Sequence, residues 1–268
     1  MNLDKYRRKL GRRGSNVGEV YANNTIAFIE STFSDSPTFR VLEVNSEEFP
    51  DIKTIDARVV EVERMGSLRE VLFRPYQGLN IGSYVRFDNE TWLIFDQWGD
   101  KDSRKYVAMV QKCNRTLKWA ISNDWKDSRG NIDLTKIREV NCIASQSPLG
   151  SKASQGKHEI EWNKFDVSLP QGQLYVFVEK NQLTDTLLMN QRFIFGKNVY
   201  EIFGIDDTSF VNKEGNGIIQ LMIKLDVKRD ADDFPNRIAT SNDVETNVPT
   251  IPVEEPDTGD TGEGGNPW

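Results

Sequence analysis

The order of apolar and polar residues divides the chain into one helical stretch and a long series of strand-like runs. Residues 16–33 have the spacing of an amphipathic helix, and Ser36 and Pro37 end it. Its apolar face consists of Val17, Val20, Tyr21, Ile26, Phe28, Ile29 and Phe33. A single helix ahead of a β-rich chain must pack on the sheets or on a neighbouring subunit, because its apolar face needs cover.

From Thr38 onward, short runs of β-branched and aromatic residues alternate with polar ones and are separated by glycine- or proline-containing turns. A spacing of roughly ten residues per strand and turn is typical of a β-sandwich or barrel rather than of βαβ units. A second set of such runs follows residues 145–156, a stretch rich in serine and glycine. This stretch is predicted to be a linker or an exposed loop.

One pattern occurs twice. Residues 86–95, RFDNETWLIF, align without a gap with residues 194–203, IFGKNVYEIF, at a constant offset of 108 residues. Each copy has an alternating run, a polar turn and a second run, which is the pattern of a β-hairpin. We predict central hairpins of two similar β modules, with eight core residues: Phe87, Trp92, Ile94, Phe95, Phe195, Tyr200, Ile202 and Phe203. The alternative is a chance similarity between two amphipathic hairpins.

The predicted fold is mainly β, with an N-terminal helix, two β-barrel or sandwich-like modules and a disordered acidic C-terminal tail. The boundaries are 1–37 for a basic arm and the helix, 38–144 for the first β module, 145–156 for the linker or exposed loop, 157–230 for the second β module and 231–268 for the acidic low-complexity tail. One large sandwich is the alternative to two modules. The repeat offset is about one domain long and favours two.

Composition narrows the class of protein. The chain has 268 residues, of which 37% are hydrophobic and 28% charged, and two cysteines. It has no apolar run long enough for a membrane span and no secretory signal, so we expect a reduced, intracellular protein without a membrane partner. A formal net charge of −7 argues against a generic nucleic-acid binder.

The two ends of the chain carry opposite charge. Residues 1–13 form a basic arm that contains Lys5, Arg7, Arg8, Lys9, Arg12 and Arg13 against Asp4 alone. From Asp226 onward, eleven acidic residues face Lys228, Arg229 and Arg237. This polarity suits contacts with other chains. The arm either contacts phosphate or an acidic partner, or it is a solvated terminus.

The sequence contains no catalytic or metal-binding motif, so we expect no enzyme, metal or cofactor. His158 is the only histidine, and Cys113 and Cys142 without a nearby histidine do not complete a zinc site. Two Asp-Thr-Gly triplets at residues 257–262 lack the apolar strands that an aspartic protease needs. A glycosidase would need two placed carboxylates, which the sequence does not identify.

Aromatic residues on turn-rich segments are the candidate subunit contacts. Among the six tryptophans, Trp98, Trp119 and Trp125 are predicted to contact neighbouring subunits, together with Phe28 and Phe33 of the helix. The alternative for tryptophans in a β module is packing in the core.

Four stretches carry a resemblance to a known family. They are residues 21–33 with Ser36-Pro37, residues 113–119 with Gly130-Asn131 and Cys142, residues 181–184 leading into 191–194, and residues 200–206 with 217–221. In these the chain resembles structural proteins from the virion-assembly region of tailed phages of Gram-positive bacteria, in particular head–tail connector proteins of the head-closure or stopper-like kind.

The resemblance implies a non-enzymatic subunit of a homo-oligomeric ring in the virion, assembled in the host cytoplasm. Its partners would be portal or adaptor proteins and tail proteins, and DNA would pass through the ring without sequence-specific binding. A tail-tip, baseplate or capsid-decorating protein is an alternative. A carbohydrate-binding β module, with Trp98 and Trp125 as stacking platforms, is an alternative of another class.

Overall fold

The computed structural model of the chain describes residues 17–46, 50–62, 66–99, 106–122, 124–127, 129–146, 149 and 170–240. Within these residues, helix α1 spans Val17–Thr32 and precedes all the strands. The strands are β1 (Phe39–Asn45), β2 (Thr54–Glu61), β3 (Leu68–Phe73), β4 (Tyr84–Phe87), β5 (Glu90–Gly99), β6 (Tyr106–Lys112), β7 (Arg115–Ala120), β8 (Ile137–Ser145), β9 (Gln173–Lys180), β10 (Arg192–Phe195), β11 (Asn198–Val211) and β12 (Gly217–Asp226). Short 3-10 helices span Leu134–Lys136 and Thr184–Thr186. In this described part, no helix is both long and apolar enough to cross a bilayer.

Strands β1 to β6 form barrel 1, a closed antiparallel barrel in the order β1-β2-β3-β6-β5-β4. Every second side chain points inward, as the period of a strand requires. The inner side chains include Leu42, Val71, Phe73, Val85 and Ile94, all of them fully or nearly fully buried.

Strands β7 to β12 form a second, barrel-like six-stranded sheet with the order β7-β8-β9-β12-β11-β10, which we call barrel 2. This is the order of barrel 1 with each strand number raised by six. Barrel 1 is closed by backbone pairing between β1 and β4, for example Val44 with Val85. In barrel 2, β7 and β10 are the two ends of the sheet, and the rings of Trp119 and Phe193 meet edge to face across them at 6.4 Å.

The repeat continues at the level of single residues. Tyr84 pairs with Leu93 in the β4–β5 hairpin, and Arg192 pairs with Glu201 in the β10–β11 hairpin. Each hairpin is followed by a β-bulge at the corresponding position, Phe95 in β5 and Phe203 in β11. The prediction of a mainly β fold with an N-terminal helix and two β modules is therefore confirmed, and the repeat covers the whole six-stranded unit.

The eight predicted core residues differ in burial. Phe87 and Trp92 are buried and stack at 4.9 Å, and Ile94, Phe95, Phe195 and Ile202 are also buried. Tyr200 and Phe203 are only half-buried. Phe203 occupies the same bulge position as the buried Phe95. The bulge by itself therefore does not determine whether the side chain is buried. Phe95 is buried because it belongs to the cluster between the two barrels.

The division between the two β units lies earlier than predicted. Strand β7 and all of β8 except Ser145 fall within the predicted first module, residues 38–144, but both strands belong to barrel 2. The boundary is therefore at residues 113–114 instead of 145–156. The local sequence pattern does not show which sheet β8 joins. That depends on the pairing of Ile143 with Phe177, which are distant in sequence. Most of residues 145–156 lie outside the described residues.

The predicted tail, residues 231–268, also begins later than expected. Residues 231–240 fold back on barrel 2, where Ile238 packs with Trp125 and Ala239 packs with Ile194 and Val199. This stretch has no strand or helix periodicity, so its sequence looked like a tail. Residues 241–268 lie outside the described residues.

Candidate assembly site

The two barrels meet through the turn that precedes β4 and through Tyr84, the first residue of that strand. The Tyr84 hydroxyl donates to the carbonyl oxygen of Asn141 at 2.5 Å and accepts from the amide of Glu179 at 3.2 Å. Burial is the main cause that raises the pKa of Tyr84 well above its ordinary value. The phenol therefore stays neutral and holds both strands of barrel 2 that it contacts.

Two glycines let the backbones of the two barrels touch. Gly82, with a φ of 98°, lies so close to barrel 2 that a Cβ there would stand 2.0 Å from the carbonyl oxygen of Gly217. An apolar cluster surrounds this contact: Leu68, Tyr84, Leu93, Phe95 and Met109 from barrel 1, and Ile143, Phe177 and Ile218 from barrel 2. The two barrels therefore pack directly on each other.

A buried carboxylate completes the junction. Glu179 of β9 accepts from the Ser46 hydroxyl and from the Asn181 side-chain amide, each at 3.2 Å, and the Ser83 hydroxyl donates to that of Ser46 at 3.2 Å. Open clefts of about 270 and 280 Å³ flank Glu179. These bonds give a buried polar side chain the partners without which its burial would be costly.

The described side chains do not form a metal or thiol centre. Among them, no three His, Cys, Asp or Glu residues are grouped to hold a metal ion. Cys113 and Cys142 are free thiols, and burial raises the pKa of Cys113 to about 12 and that of Cys142 further. Both thiols are therefore protonated and unreactive at neutral pH. His158 lies outside the described residues.

The C-terminal end of α1 is attached to barrel 1. The Phe33 ring is fully buried, and the guanidinium groups of Arg58 and Arg74 lie over it, at 4.8 and 4.6 Å from its centroid. Arg74 also pairs with Glu30 at 2.7 Å and with Asp56 at 2.9 Å. These contacts fix the helix on the outer surface of β2 and β3.

This attachment surface corresponds to the surface of barrel 2 that receives barrel 1. When the two barrels are aligned on their strand registers, β2 matches β8 and β3 matches β9. The pair Arg58–Leu72 then falls on the pair Ile143–Phe177, both of which belong to the inter-barrel cluster. The same outer surface is therefore covered in both barrels. In barrel 2 it is covered by barrel 1, and in barrel 1 it is covered by the end of α1.

The other side of α1 is exposed and carries no charge. Ala22, Ile26, Ile29 and Phe33 form the packed stripe, whereas Tyr21 is 71% and Phe28 is 68% exposed. At about 100° per residue, Asn24, Thr25, Ser31 and Thr32 share the side of these two rings. The Thr25 and Ser31 hydroxyls bond to the helix's own carbonyl oxygens, at 2.9 Å in each case.

We call this side, Tyr21, Asn24, Thr25, Phe28, Ser31 and Thr32, the aromatic face. The charged residues of α1 are Glu19 and Glu30, which lie away from it. Loss of charged residues and enrichment in aromatic ones is the composition of a protein–protein interface core.

Arg192 lies at the position in barrel 2 that corresponds to Tyr84 in barrel 1, and it holds this end of barrel 2. Its Nε lies 2.5 Å from Asp226, and its Nη1 lies 2.9 Å from Asp232. The guanidinium also donates to the carbonyl oxygens of Val227 and Thr240, each at 2.6 Å. Arg192 is 1% exposed, so it anchors residues 227–240 to the barrel.

Four apolar side chains of barrel 2 are exposed: Leu188 and Met189 in the turn before β10, and Leu225 and Val227 at the end of β12 and just after it. Met189 corresponds to Ile81, which packs in the inter-barrel cluster. Asn190, with a φ of 65°, corresponds to Gly82, and their amides donate to Ile202 and Ile94 in the same way. The same turn is thus covered by a barrel in one unit and exposed in the other.

The structure separates the predicted subunit contacts into two groups. Trp119 and Trp125 are buried within barrel 2, and Phe33 is buried against barrel 1, so the prediction that these three contact other subunits is wrong. Their turn-rich surroundings fold into small cores of their own. Trp98, 39% exposed, and Phe28 lie at the surface. The basic arm, Lys5 to Arg13, lies outside the described residues.

The residues that sequence reasoning missed are Tyr84, Arg192 and Met189. The repeat itself could have found them. When the alignment is extended towards the N-terminus at the same offset, Tyr84 meets Arg192 and Ile81 meets Met189. One copy of the repeat has a tyrosine at this position and the other has an arginine. This difference indicates that the two side chains bind different partners.

Two solved structures have weak similarity to the chain. MrkH of K. pneumonia in its apo state is 7% identical, with 78% of this chain and 85% of that chain covered, and a TM-score of 0.18. MrkH described as a c-di-GMP-dependent transcription regulatory factor is 9% identical, covers 78% and 84%, and has the same TM-score. Scores this low do not establish a shared fold, so they carry no argument. No curated protein matches the chain.

A family model gives the informative match. Residues 115–224 match the YomX C-terminal domain. The matched stretch begins at Arg115, the first residue of β7, and ends in β12, so its limits are those of barrel 2. This barrel is therefore similar to the C-terminal domain of a phage-derived family, and the match is consistent with a phage protein.

Proposed function

We propose that the chain is a non-enzymatic structural protein of a phage virion and a subunit of a homo-oligomeric ring, the head–tail connector between the DNA-filled capsid and the tail. The single observation that carries the ring is a packed double barrel whose two units expose different apolar side chains. These are the aromatic face beside barrel 1, and Leu188, Met189, Leu225 and Val227 on barrel 2. The match to the YomX C-terminal domain supports a phage protein.

The geometry suits a ring because the two surfaces differ. An interface between unlike surfaces is heterologous, and repetition of it around an axis closes a ring when the rotation fits. The packed junction at Gly82 and Tyr84 keeps the two surfaces in a fixed relation. A fixed relation is what a closed ring of constant size requires.

The charge of the chain suits passage of DNA without binding of a particular sequence. The formal net charge is −7, and attraction to phosphates is what holds DNA on a protein. A ring of such subunits would let DNA slide through. Its further partners would be portal or adaptor proteins on one side and tail proteins on the other.

Two experiments test this proposal. Light scattering after size exclusion, with negative-stain images, should give rings of the purified protein, alone or after addition of the portal protein. Phage that lacks the gene should yield filled heads without tails, or heads that have lost their DNA. Infectious particles of normal composition without the protein would refute a connector role.

The alternative virion positions give different images. Immunogold labelling of complete particles should mark the neck for a connector, and it would mark the tail tip, baseplate or capsid surface for the alternatives. The carbohydrate-binding alternative needs two exposed tryptophans. Since Trp125 is 3% exposed, it cannot serve as a stacking platform, and no observation favours that class.

A further inference from the structure

We infer that residues 227–240, which we call the strap, are a latch that closes barrel 2 along the seam between β7 and β10. While the strap is attached, the strand edges at this seam stay covered. Its release lets barrel 2 open there while barrel 1 stays closed. This device goes beyond the proposed ring and does not depend on it.

Barrel 1 is closed by its own backbone. Strand β1 pairs with β4, for example Val44 with Val85, so the ladder of hydrogen bonds continues around the barrel. The side chains of Glu43 and Arg86 also pair across this seam, at 3.8 Å. A closed ladder leaves no free strand edge. Barrel 1 therefore needs no additional segment to keep it closed.

The corresponding seam of barrel 2 has no such ladder. Both of its strands are described, and β7 pairs with β8 and β10 with β11, but β7 and β10 do not pair with each other. The strand registers place Trp119 at the position of Val44 and Phe193 at that of Val85. The two rings meet at 6.4 Å in the core of barrel 2. Contact between side chains therefore takes the place of backbone pairing on the inner side of this seam.

The strap crosses the outer side of the same seam. Side chains alternate along a strand, so the residues next to the two rings face outward. Ile238 of the strap belongs to a cluster with one of them, Ala120, the last residue of β7. Ala239, the next residue of the strap, belongs to a cluster with the other, Ile194 of β10. Two consecutive buried residues of the strap therefore pack on the two sides of the seam.

One attachment of the strap is on the side of β10. The Arg192 guanidinium donates to the carbonyl oxygens of Val227 and Thr240, each at 2.6 Å, and it pairs with Asp232 at 2.9 Å. The carboxylate of Asp232, which is fully buried, accepts from the amides of Arg229 and Thr240 at 2.8 and 3.0 Å. The two ends of the strap are thus bound to each other and to the first residue of β10.

The other attachment is on the side of β7. Lys126, in the loop after β7, pairs with Asp233 at 3.2 Å, and Trp125 belongs to the cluster of Ile238. Within the strap, the amide of Asp233 donates to the carbonyl oxygen of Ile238 at 2.9 Å, and the reverse bond measures 3.0 Å. These two bonds hold the strap in a loop. The strap therefore connects β10 to the loop after β7, across strands that do not pair.

The strap should open before the barrel that it closes. It contains no strand or helix, and its fully buried apolar side chains are Ile238 and Ala239. Segments with few buried apolar contacts open at the lowest free energy. The stretch that matches the YomX C-terminal domain ends at residue 224, so the strap follows the matched barrel. Its opening uncovers two unpaired strand edges.

Loss of one carboxylate tests the attachment on the side of β10. Asp232→Asn replaces one acceptor oxygen by an NH2 group, which cannot accept from Arg192 or from the two backbone amides. Hydrogen exchange read by mass spectrometry should become at least about tenfold faster in β7 and β10, as loss of a hydrogen bond to a charged group implies. Strands β1 and β4 should exchange as in wild type. Asp230→Asn is the matched control, because Asp230 is an exposed carboxylate of the same strap. It should leave all four strands unchanged.

A second variant tests the apolar side of the latch. Ile238→Asp places a charge at a fully buried position, so it should detach the strap from Ala120 and Trp125 and also speed exchange in β7 and β10. The double variant D232N/I238D lacks both attachments, and its strap amides should exchange freely. Slow, wild-type exchange of β7 and β10 in this double variant would overturn the latch. Equal acceleration in β1 and β4 would overturn it too, because the strap would then support the whole molecule. Both results leave the ring proposal standing.

Discussion

The two barrels have one topology and one set of hairpin registers, yet the same position performs different tasks in them. Tyr84 begins β4 and holds barrel 2 through a neutral hydroxyl. Arg192 begins β10 and holds residues 227–240 through a buried guanidinium and two carboxylates. The first end is buried under a barrel and the second stays partly exposed. Two copies of a repeat can therefore keep the same strand order and registers, while single side chains determine which segment covers the end of each copy.

The largest expected effect separates the two anchors. Arg192→Ala should lower the free energy of unfolding by about 3–5 kcal/mol, because it removes the guanidinium that pairs with the fully buried side chain of Asp232 and with the partly buried Asp226. Urea unfolding followed by circular dichroism measures this. Tyr84→Phe is the matched change at the corresponding position and should cost about 1–3 kcal/mol, since it leaves neutral groups unpaired. Equal losses for both would mean that the two ends are held by the same kind of contact.

A second prediction compares the two hairpins. Trp92 is 3% exposed and stacks on Phe87, so Trp92→Ala should cost about 3–5 kcal/mol. Tyr200, at the corresponding position, is half-buried, and Tyr200→Ala should cost about half as much, because less area leaves water on folding. Calorimetry of both variants checks the ratio. A loss for Tyr200→Ala as large as that for Trp92→Ala would mean that Tyr200 is covered as fully as Trp92.

The turns before β4 and β10 give a third prediction. Gly82→Ala places a Cβ 2.0 Å from the Gly217 carbonyl oxygen, so the barrels must move apart, and the exposed junction should be cut by proteases near residues 113–114. Asn190→Gly changes the corresponding turn, which contacts no second barrel. It should alter the free energy of unfolding by less than about 0.5 kcal/mol, because relief of the positive φ and the added entropy of glycine oppose each other. Limited proteolysis with mass spectrometry compares the two.

The smallest effect concerns acid. The described carboxyls whose pKa values are lowered all belong to barrel 2 or the segment on it: Asp124, Asp127, Asp133, Asp206, Asp226 and Asp233. For Asp206, burial alone would raise the pKa, but hydrogen bonds from Ser209 and Thr208 lower it to about 2. A lowered pKa in the folded state gives stability that is present above the ordinary pKa of 3.8 and is lost as pH falls towards 2.

Barrel 1 differs, because burial raises the pKa of its Asp96, so protonation of that group costs no stability. Barrel 2 should therefore loosen first when the pH falls from 5 to 2, as read from amide NMR signals assigned to each barrel. Asp206→Asn should narrow the difference. Simultaneous loss of both sets of signals would show that the junction, not the carboxyls, controls acid unfolding.

The hairpins were predictable because both of their signals are local. Alternating apolar residues and a polar two-residue turn are read within ten residues, and the φ values of 51° and 59° at Asp88 and Asn89 are what Asp-Asn in such a turn adopts. Helix α1 was predictable for the same reason, since its bounds, Val17–Thr32, follow the apolar spacing.

The candidate site was only partly predictable. Phe28 and Trp98 were expected at the surface and are there, but Trp119, Trp125 and Phe33 were expected beside them and are buried. Each of the three is covered by a segment distant in sequence: Phe193 in β10 for Trp119, Ile238 for Trp125, and Arg58 with Arg74 for Phe33. A local sequence pattern does not indicate whether a distant segment will cover a side chain.

The sequence by itself determined the helix, the two hairpins and the opposite charges of the two ends, since periodicity and composition depend on neighbours along the chain. The tertiary structure decided that β7 and β8 belong to barrel 2 and that residues 231–240 fold onto it. It also decided that two corresponding ends are covered differently, one by a barrel and the other by residues 227–240. These features depend on strand pairing and burial between distant residues. The physical reason is that a side chain is buried by residues distant in sequence, and these come together only when the chain has folded.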